Sequence, residues 1–491
     1  MEARQIVNSE FGAMILGIGI VLGSKRTACD VRGGRTARRI VMNWKDYYEQ
    51  RLVPAQEAVK MIQSGDRVVH GHACGEPTCL VEAMVNRADE IEGVEIVHMV
   101  SMGKATYCQP EYAGSFRHNS LFVGGTSRQA INEGRGDYTC CYFSEIPLLF
   151  RHNLLPVDVA LIAVSPPDKS GFVCLGISVD YTKQAALSAK TVIAAVNPNM
   201  PRIGGDSYLH VTDIDYFVPT QEPLIELKPP VLGELEKAIG SNVANLIRDG
   251  DCLQLGIGAL PDAVLSFLGD KTHLGIHSEM ISDGVMNLVE AGVITCKKKT
   301  FRPRKAVITF AMGTHRFYQW LDDNALMESH PVDFTNDPSV IARNDNMVSI
   351  NSAISVDLQG QVAADTLGSK QFSGVGGQVD FVRGANQSKG GRSIIAMPAT
   401  AAKGKASRIV AALDRGQAVT TSRNDVAYVV TEHGIASLKG KTIRQRADAL
   451  ISIADPQFRD QLKEDFLQIY GLRGPIVQVP VQLTASEKIE Q

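Results

Sequence analysis

Along this chain the apolar residues gather in short continuous runs, such as 252–255 and 274–277, bounded by Gly, Asp and Pro. Between such runs lie stretches, 233–249 and 443–470 among them, whose apolar positions recur every three or four residues. The first pattern reads as strands buried on both faces and the second as amphipathic helices. Their alternation predicts an open α/β fold with many tight strand-to-helix turns.

The pattern is also written twice. KMIQSGDRVVHGHACGEP (60–77) and ANLIRDGDCLQLGIGALPD (244–262) both run from a helix end through Gly-Asp to an apolar strand, a glycine turn and a proline. Their Gly-Asp pairs, Gly65-Asp66 and Gly250-Asp251, are 185 residues apart. DVALIAVSPPDKSGFVCLG (158–176) matches MVSINSAISVDLQGQVAAD (347–365), each a buried strand, a polar turn and a second strand, read as a hairpin or neighbouring-strand unit. AKTVIAAVNPNMPR (189–202) matches GRSIIAMPATAAKGK (391–405). Three pairs in one order predict two similar open α/β domains made by duplication, with the active site in the cleft between them. The seam falls in PTQEPLIELKPP (219–230), whose four prolines in twelve residues exclude regular helix or central strand. The expected division is a leader over 1–41, an N-terminal domain over 42–220 and a C-terminal domain over 231–480, with a polar tail over 483–491.

Composition narrows the class. Of 491 residues 44% are hydrophobic and 21% charged, an ordinary globular balance, and a net charge of −3 offers no basic face for nucleic acid. The longest apolar run, Phe11–Gly23, is too short to span a bilayer. Glu2 and Glu10 before it, and Asp30 within the Arg-rich stretch 26–39, do not suit an export or import signal, so a dispensable leader is expected. Nine scattered cysteines with no CxxC pair and no zinc spacing predict free thiols in a reducing cytoplasm and no metal site.

Two glycine loops and one acid are the candidates for chemistry. Gly256, Ile257, Gly258, Ala259 and Leu260 form a turn between the strand 252–255 and a helix expected from about Asp262, where backbone N–H groups suit a phosphate or an oxyanion. No Gly-Lys-Ser/Thr follows, and the third glycine of a dinucleotide fingerprint is missing, so a purely structural turn fits this segment equally well. Glu279 follows the run 274–277, at the strand end where open sheets keep their ligands. In Ser373–Asp380, Gly374, Gly376 and Gly377 allow close approach to the backbone, though a surface turn would use them as well. A carboxylate with two N–H-rich loops equips an acyl-transfer site, and no Gly-x-Ser-x-Gly elbow competes with it.

The segments GHACGEP (71–77), GIGALPDAVLSFL (256–268), LGIHSEMISDGVMNLVEAGVIT (274–295), FAMGTHRFYQWLDDN (310–324), FSGVGGQVDFVRGA (372–385) and TEHGIASLKGKTIRQRA (431–447) together resemble the acetyl-CoA hydrolase/transferase family, and within it the 4-hydroxybutyrate coenzyme A transferases. The likeness runs from about Met42 to about Leu467 and has no counterpart for the leader. It implies that Glu279 is a nucleophile forming a glutamyl-coenzyme A thioester, and that Gly256 to Leu260, Gly374 and Gly377 contact coenzyme A. It further implies an oxyanion hole from the amides of Gly258 and Gly377, and a phosphate partner in Lys403. The implied activity moves coenzyme A between acetyl-CoA or butyryl-CoA and a short acid such as 4-hydroxybutyrate or acetate, without a cofactor, in a cytoplasmic homodimer. An acetyl-CoA hydrolase, or a butyryl-CoA:acetate or succinyl-CoA:acetate transferase, stays open. His72, Cys74, Glu76 and His315 are candidates for the acyl pocket, with packing or surface roles open for each.

Overall fold

In the computed structural model residues 43–472 are described; the predicted leader, the polar tail and residues 473–480 lie outside them. Seven parallel strands form the first sheet: β1 (Arg67–His70), β2 (Val94–His98), β3 (Phe116–Ser120), β4 (Gly136–Tyr138), β5 (Val159–Val164), β6 (Thr191–Val196) and β7 (Tyr216–Pro219), in the order β4-β3-β2-β1-β5-β6-β7. The second comprises β8 (Cys252–Gln254), β9 (Gly275–Ile276), β10 (Met347–Ser352), β11 (Arg392–Ala396), β12 (Tyr428–Thr431) and β13 (Gly434–Ser437), in the order β9-β8-β10-β11-β12-β13. Only β13 is antiparallel to its neighbour.

The predicted duplication is visible strand by strand. β2-β1-β5-β6-β7 and β9-β8-β10-β11-β12 have one order, and the three matched sequence pairs fall on β1/β8, β5/β10 and β6/β11. Equivalence extends to hydrogen bonds. Gly65 and Gly250 both have positive φ, +80° and +77°, the left-handed turn that glycine allows. Each following aspartate reaches back three residues, Asp66 to the Gln63 N–H at 2.8 Å and Asp251 to the Arg248 N–H at 2.7 Å. The second strand of the 158–176 and 347–365 units does not stay beside the first, as it would in a hairpin. Phe172–Cys174 pairs with Tyr208–His210, and Ser355–Asp357 turns back on Val362–Ala363. Central strands already paired on both sides leave these segments no place in the sheet.

Glycine turns after β1 and β8 lead into helices α1 (Thr78–Val85) and α3 (Ala259–Ser266), with α2 (Glu234–Ala244) preceding β8. Helix α4 (Gln378–Gln387) follows the second glycine loop. The single helix expected over 443–470 is instead two, Ile443–Ser452 and Arg459–Tyr470. Pro456 cannot continue the first of them, and Asp455 caps the break by accepting from the Gln457 N–H at 3.0 Å. After Pro219 the chain has no regular structure until Glu234. One apolar core, containing Val164, Tyr181, Phe310 and Val348, runs through both sheets. No helix of the described residues is long and apolar enough to cross a membrane.

Under the first sheet three fully buried histidines stack across neighbouring strands. His70, His98 and His118 have ring centroids 4.2 and 4.1 Å apart. Each Nδ1 faces a backbone carbonyl, of Gly71, Met99 and Ile96 respectively, so each Nδ1 carries a proton and each Nε2 is an acceptor. The Tyr107 hydroxyl serves the His98 Nε2 at 2.6 Å. Burial lowers all three pKa values, that of His118 to about 4. The folded state thus binds fewer of these protons than the unfolded chain. The stability they contribute is full above about pH 6.5 and is lost as pH falls through their lowered values, about 3 kcal/mol for His118 alone. The urea midpoint should fall from pH 7 to pH 4.5, and less steeply in His118→Asn; equal slopes would show that the column does not resist protonation.

Candidate active site

The site assembles at the carboxyl ends of β8 and β9, next to the point between β8 and β10 where the strand order reverses and open sheets leave a crevice. Beyond β8 the chain turns over Gly256–Gly258. Gly258 has φ +108°, a conformation that only glycine adopts readily. Helix α3 starts at Ala259, three residues before the predicted start, because Pro261 sits in the first turn, where its missing N–H leaves nothing unpaired. Ile257 at the apex is 46% exposed.

Ser278 ties this turn to the candidate nucleophile. Its hydroxyl donates to the Leu255 carbonyl at 3.1 Å and accepts from the Leu255 N–H at 3.2 Å. The next residue is Glu279, whose own carbonyl accepts the N–H groups of Thr309 and Phe310 at 3.0 and 3.2 Å. With its backbone held on both sides, the half-buried side chain has one direction left. Oε2 accepts from the Asn336 Nδ2 at 2.8 Å and lies against Gly377, whose backbone N–H favours the charged carboxylate. Burial pushes the Glu279 pKa up to about 8; the Asp380 and Asp180 charges act the same way, and the two donors oppose them.

The second glycine loop is held by the first half of the chain. Phe143 N–H donates to the Gly376 carbonyl at 3.1 Å, and Arg128 Nε to the Phe372 carbonyl at 2.7 Å. A side chain on Gly374 would meet Phe122 at 2.9 Å, and Gly376 has φ +55°. Gly377 then caps α4, whose N-terminal partial charge favours an anion at that spot. The structure therefore brings Glu279 and Gly377 into contact and ties Leu255, where the Gly256–Leu260 turn begins, to Ser278. Lys403 stands apart. It is exposed in the turn between Thr400–Ala401 and Ala406–Ser407, and no hydrogen bond or ion pair joins it to Glu279 among the described residues.

Of the pocket candidates, His72 is 3% exposed and lies edge-on to Phe310 and Phe143, with centroids 4.6 and 5.6 Å away. Its Nδ1 reaches Asp180 at 3.2 Å. Glu76 is buried against Ser101 Oγ, 2.6 Å, and the Gly103 N–H, 3.1 Å. Burial pushes the Cys74 thiol up to about 11, so it stays protonated and is no nucleophile. His315 does not join the group: it is exposed at a helix start, its N–H bonded to Glu226 at 3.0 Å. Sequence reasoning missed Asn336, Asp180 and Ser144, and gave Asp380 no role. Nothing in a lone Asn or Ser marks it, since their positions depend on how the two halves meet.

Comparison with known proteins fits this geometry. Residues 36–227 match the acetyl-CoA hydrolase/transferase N-terminal domain and residues 313–466 its C-terminal domain. The chain is 60% identical over 425 residues to the 4-hydroxybutyrate coenzyme A transferase of Clostridium kluyveri, covering 87% of this chain and 99% of that one. It is similar to the crystal structure of 4-hydroxybutyrate CoA-transferase from Porphyromonas gingivalis, with TM-score 0.75 and 42% identity over 87% of this chain and all of that one. It is also similar to RipA from Yersinia pestis, with TM-score 0.84 and 37% identity over 88% of this chain and all of that one.

Proposed function

This chain belongs to the acetyl-CoA hydrolase/transferase family, and from that premise we propose that it moves coenzyme A from acetyl-CoA or butyryl-CoA to a short carboxylic acid such as 4-hydroxybutyrate, through a covalent intermediate on Glu279. The observation that carries the intermediate is the Glu279 carboxylate bonded to the Asn336 amide and lying against the Gly377 backbone.

The ionised Glu279 attacks the acyl-CoA carbonyl, and the resulting oxyanion collapses to a mixed anhydride, expelling coenzyme A as thiolate. The thiolate attacks the glutamyl carbonyl, releasing the first acid as carboxylate and leaving a glutamyl thioester. The incoming carboxylate attacks that thioester, and the freed thiolate then attacks the new acyl carbonyl, restoring Glu279. Burial strips water from Glu279 and leaves its carboxylate basic, which suits a nucleophile. Each oxyanion needs a donor, and one well-placed amide is worth about 3–4 kcal/mol. Gly377 is such a donor beside the reacting carboxyl, and we assign the second to Gly258. The Gly256–Leu260 and Gly374–Gly377 backbones then flank coenzyme A. Every bond is made by Glu279, the thiol and the acids, so the scheme requires no metal or redox group. The reading includes a homodimer acting in the cytoplasm, checked by sedimentation and fractionation.

Incubating the protein with acetyl-CoA, with and without 4-hydroxybutyrate or butyrate, tests the activity. Formation of the new acyl-CoA together with free acetate, dependent on added acid, is the expected result. Acetate and coenzyme A released equally without any acid would make the protein a hydrolase, and no turnover would make it a binding module.

A further inference from the structure

Next to the nucleophile lies a second buried acid that the scheme above leaves unused. Asp380, in the first turn of α4, is 3% exposed. Its Oδ1 accepts from Ser144 Oγ at 2.9 Å and its Oδ2 from the Ser144 N–H at 3.2 Å. The Asn336 side chain nearby favours its ionised form. The same Asn336 donates to Glu279, while its Oδ1 has no partner among the described residues. The NH2 end of the amide therefore faces the acids. Turned over, the amide would aim its oxygen at both acids.

We propose that Asp380 is a positioning residue for the nucleophile: it anchors the 142–145 loop of the first half to the second glycine loop, whose Gly377 lies against Glu279. This rests on Glu279 being the nucleophile. The anchoring follows from neighbours, for Phe143, beside Ser144, donates its N–H to Gly376 one residue before the amide that faces Glu279. Ser144 to Asp380 and Phe143 to Gly376 thus tie the first half of the molecule to the loop that lies against the reacting carboxyl.

Charge adds a readout. Glu279 is faced by Asp380 from α4 and by Asp180, which His72 contacts from its other side. Asp380 is faced in turn by Glu145 and Cys141. Burial pushes Asp380 up to about 7 and Glu279 up to about 8, and the Asp380 charge adds to the rise at Glu279. Removing the Asp380 charge makes Glu279 easier to ionise.

The test is the pH dependence of kcat/KM for acetyl-CoA with 4-hydroxybutyrate as acceptor. In the wild type it should rise with pH as Glu279 ionises. Asp380→Asn keeps the shape but not the charge. Its acid limb should move to lower pH by about half a unit or more, while plateau kcat falls about tenfold and KM changes less than about threefold. Ser144→Ala leaves Asp380 easier to protonate, so its limb should move the same way by less. That variant decides the matter if Asp380→Asn does not fold. An acid limb in the wild-type position in the folded variants, or a plateau kcat within about twofold of wild type, overturns the proposal. Glu279→Ala is measured alongside. If it retains exchange, the nucleophile assignment fails instead; if it is inactive, an unmoved limb condemns Asp380 alone.

Discussion

Glu279→Ala should lose coenzyme A exchange by several orders of magnitude while still binding coenzyme A, because both glycine loops remain. The carboxylate is the group that must form the covalent bond, and among the described residues it is the acid bonded to the Asn336 amide beside Gly377. Glu279→Asp is the sharper variant. It withdraws the carboxylate by about 1–1.5 Å, one C–C bond, away from the Asn336 Nδ2 that now lies 2.8 Å from Oε2. A misplacement of that size can cost about a hundredfold in rate. The space it opens admits water, so the ratio of hydrolysis to transfer should rise. Mixed with acyl-CoA alone, the wild type should gain the mass of coenzyme A less water, and borohydride should reduce the adduct at Glu279. An unmodified Glu279 in that experiment, with exchange intact, would remove it from the mechanism.

Gly377→Ala should be nearly as damaging, for a purely steric reason. Gly377 has φ −93° and ψ 6°, open to any residue, so alanine strains nothing in the backbone. Its new Cβ, however, would stand 1.8 Å from Glu279 Oε2 and 2.3 Å from Asn336 Nδ2. Ordinary carbon–oxygen contacts are more than an ångström longer, so the nucleophile or the loop must shift by about that much. Thermal unfolding should change little, while kcat/KM falls by at least about a hundredfold and the thioester no longer accumulates. Wild-type kinetics in this variant would show that the Glu279 carboxylate does not react from the position it occupies here. Gly376, with φ +55°, is different: its glycine is needed by the backbone itself, and alanine there would test the loop's shape rather than the contact.

Glu279 and both loops were legible because each is a local signal. Gly65-Asp66 and Gly250-Asp251 gave away the duplication for the same reason, since a left-handed glycine followed by an aspartate that caps the preceding turn is contained within four residues. The break at Pro456 was legible too and was overlooked in favour of the helical period on either side. Among the described residues Lys403, which the resemblance sets against coenzyme A phosphates, and His315 are both exposed, and neither is bonded to Glu279.

What the sequence determined by itself, then, is everything that depends on neighbours along the chain: the strand–turn–helix units, their repetition, the glycine loops and the acid at a strand end. Only the tertiary structure decided which groups surround that acid. Asn336 lies 57 residues from Glu279 and Ser144 lies 236 from Asp380, and neither spacing carries a period. These partners meet because two sheets with one strand order share a core and press the loops of the first half against the second. The basicity of Glu279 belongs to that packing as well, for desolvation is a property of what encloses a carboxylate and not of the residues beside it in sequence.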